Sequence, residues 1–337
     1  MLLHVKITAI FYTSIIMAKS WQQQLKNALS GDHSKTLQTQ EDYSQQAAKL
    51  FRPVVTDEVI NAIQKQPYTG ALSNQFLPTS AETEDHPDFT SDPVGDHNAL
   101  ADQGIIHKYH GRVLLVASGS CAVNCRYCFR RHFPYHKHLA SRHNWQAVID
   151  YLSAHTEVHE VILSGGDPLT LTTSSLQSLT DQLTKLNHIK TLRIHSRIPT
   201  VLPDRIDKPL MDWLDRLRFH KVLVTHINHA DELTDNAINS LNKLKQHNVT
   251  LLNQSVLLKS VNDDVDTLIK LSYALFNNGV LPYYLHLFDR VQNAAHFEVD
   301  ISQAKLIYEG MRRKLPGYLL PKMVQEVAGQ TAKTPVN

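Results

Sequence analysis

"EVILSGGDPLTLTTSSLQSLTDQLTKL", residues 160–186, runs from a strand through a turn into a helix. Its first residues form a short apolar run that stops at Gly165, Gly166, Asp167 and Pro168, a cluster that ends a strand. Apolar residues then return at helical spacing, with Leu176, Leu179, Leu183 and Leu186 on one face. A strand passing directly into a helix is the βα unit of parallel sheets.

The same succession recurs on both sides of this stretch. "RVLLVA" from residue 112, "TLRIHS" from 191, "KVLVTHI" from 221, "VTLLNQS" from 249 and "LPYYLHLF" from 281 bring the strand count to six. The last five recur about every 30 residues, the length of a βα unit, with helical patterns such as "DELTDNAINSLNKLKQH" between them. Periodicity alone leaves two architectures open, a doubly wound sheet and a partial barrel.

Polar residues favour the second. Ser120 and Cys121 follow the first strand, "SGGDP" the second, "SRIP" the third and "HINH" the fourth, while "NQS" closes the fifth and Asp289 follows the sixth. All lie at carboxyl ends, where parallel α/β folds gather their active sites. The expected fold is therefore α/β, a partial (βα)6 barrel with a helical N-terminal extension.

The extension reads as helical from about residue 20 to 65, as in "WQQQLKNAL" and "DEVINAIQ". Residues 75–104 are rich in Pro, Asp, Ser and Thr and read as a long irregular connection. The expected divisions are 17–110 for the helical region and connection, 111–315 for the barrel and 316–337 for a C-terminal segment. Residues 1–16 are expected to be an over-called translation start or a disordered tail, because Met17 is a more natural beginning. Their short apolar run only loosely mimics a secretory signal.

Hydrophobic residues make up 42% and charged residues 20%, and the formal net charge is +2. This is the composition of a soluble globular protein without a basic face, so neither nucleic acid nor membrane is an expected partner. All three cysteines lie in "SGSCAVNCRYCFRRHFPY", residues 118–135. Their odd number and close spacing argue against disulfides and for a reduced, cytoplasmic protein with a metal site.

Cys121, Cys125 and Cys128 form C-x3-C-x2-C in a loop leaving a strand. The residues themselves leave three readings open. Three thiolates can hold a four-iron cluster with one iron open to substrate, or bind zinc with His132 as fourth ligand, or serve as buried structural cysteines. A non-enzymatic electron carrier is disfavoured, because carriers usually ligate a cluster through four protein residues.

The cysteine spacing, with Tyr127 before the last cysteine and at the end of the first of six βα units, resembles the radical S-adenosylmethionine (SAM) superfamily. That resemblance implies an open iron that chelates SAM and a 5′-deoxyadenosyl radical formed by reductive cleavage. It also implies that Gly165, Gly166 and Asp167 form the loop that contacts the SAM amino group. "CRYCFRRHF", "THINH", "NQSVLLKSVND", "PYYLHLFD" and "KTPV" are similar to the lysine 2,3-aminomutases, over roughly residues 90 to 335.

In that family a lysine near the C-terminus holds pyridoxal phosphate (PLP) as a Schiff base, and the matching residue is Lys333. Without the family, Lys333 reads as an ordinary tail lysine. The resemblance also assigns the substrate carboxylate to Arg130 and its side-chain ammonium to Asp289 and Glu326. Glu326 stands where the family has an aspartate, which shifts that anchor by about one methylene. Gln254 and Asn228 are expected near SAM, and Ser196 and Arg197 at the PLP phosphate.

The chain ends four residues after Lys333 without a further cysteine. This short form resembles the branch that makes (R)-β-lysine from (S)-α-lysine for elongation factor P, to which a lysyl-transferring ligase attaches it. A free-lysine aminomutase of catabolism or osmolyte synthesis is the alternative. Either requires an electron donor such as flavodoxin or ferredoxin.

Overall fold

A computed structural model describes residues 19–30, 42–65, 70–141 and 145–336. Its framework is one ten-stranded sheet: β1 (Leu100–Asp102), β2 (Ile105–Tyr109), β3 (Arg112–Ser118), β4 (Glu160–Gly165), β5 (Thr191–Ser196), β6 (His220–Thr225), β7 (Thr250–Val256), β8 (Leu281–His286), β9 (Lys322–Gln325) and β10 (Thr334–Pro335). The strands lie side by side in chain order. From β3 to β9 each pair is parallel, and antiparallel pairs flank them at both ends.

Strand order decides between the two architectures. A doubly wound sheet reverses direction at a switch point, and this sheet never does. Right-handed crossovers running one way along the sheet put their helices on one face and leave the other free to line a cavity. The expected partial barrel is the fold found, with all six expected strands within a residue or two of their places.

The helices are α1 (Trp21–Ser30), α2 (Gln45–Leu50), α3 (Asp57–Lys65), α4 (Ala71–Phe76), α5 (Gln146–Ala154), α6 (Thr173–Leu183), α7 (Ile198–Val201), α8 (Lys208–Arg216), α9 (Asp235–Gln246), α10 (Val265–Asn277) and α11 (Ile301–Lys314). Val161, Leu163, Leu192, Leu223 and Leu251 of the strands share a buried cluster with Leu176, Leu179, Leu214, Leu241 and Leu275 of the helices. Thr172, Asp207, Thr234 and Asp264 each accept a backbone N–H at a helix start. Such caps are worth about 1 kcal/mol each.

Two parts differ from the sequence reading. The stretch expected to be an irregular connection begins on the last two residues of α4 and includes β1, and the boundary near residue 110 falls inside the sheet, because β1 and β2 precede it. Ile105 and Ile106 are buried opposite Leu115 and Leu114 of β3. Both strands are short and the turn between them is polar, so neither shows a clear alternation. The C-terminal segment likewise adds β9 and β10 to the sheet edge.

Residues 1–16 lie outside the described residues. Among the described residues no helix is long and apolar enough to cross a membrane. Helices α1, α3 and α4 are continuous with the barrel core through Trp21, Val59, Ile63, Leu72 and Phe76.

Candidate active site

The carboxyl ends of the parallel strands open onto a cavity of about 600 Å³. At one end it is lined by Cys121, Cys125 and Cys128, and at the other by Asp289, Glu326 and Lys333. Cavities of this size and position are the usual ligand sites of parallel α/β folds.

The cysteine loop is pinned from outside the cavity. Arg126, fully buried, donates to both Glu82 oxygens at 2.8 and 2.6 Å and to the Phe51 carbonyl, and Arg131 donates to Glu82 at 3.1 Å. Arg131 is therefore an anchor of the loop, not a surface charge. Arg130, between them in character, faces inward, with Nε 2.6 Å from Asp96 Oδ2 and Nη1 3.2 Å from Ser164 Oγ. Burial opposes the Asp96 charge, yet Arg130 and Lys108 hold its carboxyl down at about 2.

Burial and the neighbouring thiols push the Cys121 thiol well up and the Cys128 thiol to about 11. His132 is exposed and does not line the cavity. Among the described residues no three ligating side chains gather tightly enough to hold a single metal ion. The donor set that faces the cavity is three thiols without a fourth protein ligand, which suits a cluster with an open iron better than a four-ligand zinc site.

Gly165 and Gly166 make room for the cysteine loop itself. A Cβ on Gly165, whose φ is +111°, would stand 2.6 Å from the Ser118 carbonyl, and one on Gly166 would stand 2.5 Å from that of Ser120. Gly166 and Asp167 donate their N–H groups to the same two carbonyls at 2.7 and 2.8 Å. Asp167 reaches the cavity wall, but its oxygens already accept from Leu169 N, Arg197 N and Ser196 Oγ. Burial raises its carboxyl to about 6 against those hydrogen bonds.

Ser196 and Arg197, expected at a phosphate, are occupied elsewhere. The Ser196 hydroxyl binds Asp167, while Arg197 donates to Cys125 Sγ at 3.1 Å, Gln75 Oε1 at 2.8 Å and Glu232 Oε2 at 2.5 Å, and also to Tyr127 Oη. Arg197 thus serves the thiol end. Asn228 does not line the cavity: it is fully buried and its amide is spent on Tyr127 Oη, Gln75 Oε1 and Val256 N. Gln254 does line it, and its side chain makes no hydrogen bond among the described residues.

At the far end β10 returns antiparallel to β9 and delivers Lys333 to the cavity. Lys333 Nζ donates to Glu326 Oε2 at 2.6 Å and lies 5.7 Å from the Tyr284 ring centre. Glu326 also accepts from Tyr109 Oη at 2.6 Å and lies 3.6 Å from Lys108 Nζ. Burial opposes its charge, but Lys333 and these hydrogen bonds keep its carboxyl below the ordinary value. Asp289 has no such partners among the described residues, and burial pushes its carboxyl up to about 7 against the pull of Lys333.

Sequence reasoning missed the wall between the two ends. Arg193 and His195 of β5 and Tyr284 and His286 of β8 face the cavity from alternate positions. Burial, then the nearby cations, hold the His195 and His286 imidazoles neutral, and His195 Nε2 is buried without a partner among the described residues. Arg112 adds a guanidinium 4.7 Å from the Tyr109 ring centre. Polar residues two apart in strands that should be apolar on both faces were the available signal.

Residues 110–225 match a family described as a 4Fe-4S single cluster domain. Over 291 residues the chain is 45% identical to the L-lysine 2,3-aminomutase of Escherichia coli (strain K12), spanning 86% of this chain and 85% of that one. The chain belongs to the lysine 2,3-aminomutase family.

Two further relatives carry the same name. That of Haemophilus influenzae is 44% identical over 94% of this aminomutase and 95% of its own length, and that of Clostridium subterminale is 31% identical over 94% and 77%. Among solved structures, a radical SAM methyltransferase from Sphaerobacter thermophilus is distantly similar, 15% identical with a TM-score of 0.45 over 67% of this chain and 72% of that one.

The residues present in this aminomutase fit the groups its family implies. The thiol end offers three cysteines with a guanidinium on Cys125, and the far end offers a lysine amine, an aromatic face at Tyr284 and the unpartnered, buried His195 Nε2. Arg112 and Arg193 line the same cavity, but Arg193 already donates to both Glu160 oxygens, which leaves Arg112 as the guanidinium there with no carboxylate partner among the described residues.

Proposed function

We propose that this aminomutase converts (S)-α-lysine to (R)-β-lysine for attachment to elongation factor P by a lysyl-transferring ligase. The observation that carries the reading is a single cavity with three thiols at one end and, at the other, a half-buried lysine near a carboxylate without a partner among the described residues. Bound PLP supplies the conjugated system across which nitrogen passes between carbons, and SAM at the cluster supplies the radical that removes the β hydrogen.

The chain's own residues bind and orient. Cys121, Cys125 and Cys128 hold the cluster, and the loop of Gly165, Gly166 and Asp167 flanks the SAM position with Gln254. Lys333 holds PLP. Arg130, fixed at Nε by Asp96 and at Nη1 by Ser164 Oγ, keeps its remaining outer N–H groups for the substrate carboxylate, where a planar fork of donors is favoured. Asp289 receives the side-chain ammonium, with Glu326 beside it.

Val94, Ile106, Leu114, Ile162 and Phe288 complete the lining and exclude water from a reactive radical. A one-electron donor of the flavodoxin or ferredoxin type feeds the cluster. Support for the elongation-factor branch comes from the resemblance of "NCRYCFRRHFPY", "YYLHLFDRVQNAAHF" and "GYLLPK" to that branch. The chain spans 85% and 95% of the Escherichia coli and Haemophilus influenzae relatives and 77% of the Clostridium subterminale one, all three of the same printed name, which supports the aminomutase activity itself.

The test is anaerobic reconstitution with iron, sulfide and PLP, followed by reductant, SAM and L-lysine, with chiral analysis of the product. Absence of β-lysine from protein carrying both cofactors would refute the aminomutase reading. For the finer reading, deletion of the gene should remove β-lysine from elongation factor P, as read by its intact mass. An unchanged mass would assign the product to free-lysine metabolism.

A further inference from the structure

Arg130 and the acids Asp289 and Glu326 line one cavity. Left to themselves, such groups attract strongly and would pair, closing both ends of the site to a zwitterionic substrate. Two residues outside the expected site stand between them. Asp96 gives Oδ2 to Arg130 Nε at 2.6 Å and Oδ1 to Lys108 Nζ at 2.7 Å, and Lys108 lies 3.6 Å from Glu326 Oε1. Charges therefore alternate along Arg130, Asp96, Lys108 and Glu326.

We propose that Asp96 and Lys108 are a spacer pair that keeps the carboxylate anchor apart from the acidic end and so sets the length of diamino acid accepted. The inference rests on the reading that a lysine zwitterion spans Arg130 to Asp289. Both oxygens of Asp96 are committed, one to each cation, and its side chain is 3% exposed, so the bridge has little freedom.

The backbone around the pair is held as well. Asp96 N–H donates to Asp92 Oδ1 at 2.9 Å, and Lys108 Nζ also donates to the Val94 carbonyl at 2.8 Å. Gly95, at φ +67°, packs so closely on the C-terminal segment that a Cβ there would stand 2.9 Å from Ala328 Cβ. The spacer thus ties the 92–96 loop and β2 to the segment that carries Glu326. Asp96 and Lys108 are positioning residues; neither is assigned a contact with substrate.

A spacer of fixed length predicts discrimination by one methylene, about ten- to a hundred-fold between L-lysine and L-ornithine. The test uses the full chain with cluster, SAM and PLP. Dissociation constants for both amino acids are measured by calorimetry without reductant, and kcat and KM with it, in wild type, Asp96→Asn, Lys108→Met and Lys108→Arg. Thermal melting and iron content report whether each variant folds.

Asp96→Asn and Lys108→Met are expected to weaken lysine binding and raise its KM about ten-fold or more with kcat changed much less. They are also expected to narrow the lysine-over-ornithine preference about ten-fold, while Lys108→Arg retains it. If Asp96→Asn does not fold, Lys108→Met carries the same comparison. A preference unchanged in folded Lys108→Met, or lost equally in Lys108→Arg, would overturn the spacer alone. A wild type that binds neither amino acid would overturn it together with the reading on which it rests.

Discussion

Lys333 Nζ lies 2.6 Å from Glu326 Oε2, an ion pair made across the connection between the two last strands of the sheet. A tail lysine in solvent would have no such partner, so the pair marks Lys333 as placed. Lys322, the nearest alternative on β9, is exposed and does not line the cavity. Lys333→Ala is expected to abolish the visible absorbance of bound PLP while leaving the iron content intact, and Cys125→Ala the reverse. Retention of the PLP absorbance by Lys333→Ala would move the cofactor to another lysine.

With Asp289 as the proposed ammonium site, lysine binding is expected to be pH-dependent in a predictable direction. Its carboxyl is raised to about 7 in the free protein, so below that pH the neutral acid faces the cavity. A substrate ammonium needs the carboxylate, and binding must therefore expel a proton. Affinity should climb about ten-fold per pH unit up to about pH 7 and then level off. Calorimetry of the cofactor-loaded protein from about pH 5 to 8 measures this, and in Asp289→Asn binding should be weak and flat.

Stability should run the other way. Between the ordinary value of 3.8 and about 7 the folded chain holds a proton that the unfolded chain has lost. Folding stability attributable to Asp289 therefore falls as pH rises through that window and is level above it. Asp289→Asn should remove the fall, read by urea unfolding of the ligand-free protein at several pH values. Wild type and variant with parallel profiles would contradict the raised value.

The glycines separate packing from ligand contact. Gly166→Ala places a methyl 2.5 Å from the Ser120 carbonyl, where backbone has to move, whereas Gly317 has nothing within 4 Å of the same added atom. Gly166→Ala should destabilise by about 1–3 kcal/mol and loosen the cysteine loop, lowering iron retained on reconstitution. Gly317→Ala should stay within about 0.5 kcal/mol of wild type with full iron. Normal melting and iron content in Gly166→Ala would mean that the two loops are free to separate.

What the chain alone revealed was whatever local pattern could express. The strand, turn and helix of residues 160–186 carry their own periodicity, and so the barrel was legible, as were the three thiols that share one loop. Asp96 was not, because an aspartate in "SDPVGDHN" looks like any turn former. Tyr109 and Glu326 are 217 residues apart, and no local spacing announces that pairing. Arg197 was read correctly as a strand-end residue but placed at the wrong end of the cavity, since only the fold shows Cys125, Gln75 and Glu232 around its guanidinium.

Arg197 should therefore affect the cluster and the fold separably. Its guanidinium neutralises Glu232, whose side chain is 3% exposed, so Arg197→Gln leaves a buried carboxylate without its cation. Loss of one partner of a buried pair costs about 3–5 kcal/mol, although N–H groups of Asn228 and His229 still reach Glu232 and should keep the loss near the lower figure. At the same time a positive charge leaves the Cys125 sulfur, 3.1 Å away. Reduction adds negative charge to a cluster, so removing the cation should lower the reduction potential in Arg197→Gln, and Arg197→Lys should keep it closer to wild type. Redox titration followed by electron paramagnetic resonance reads this independently of turnover. Equal potentials in wild type and Arg197→Gln would show that the guanidinium serves the fold alone.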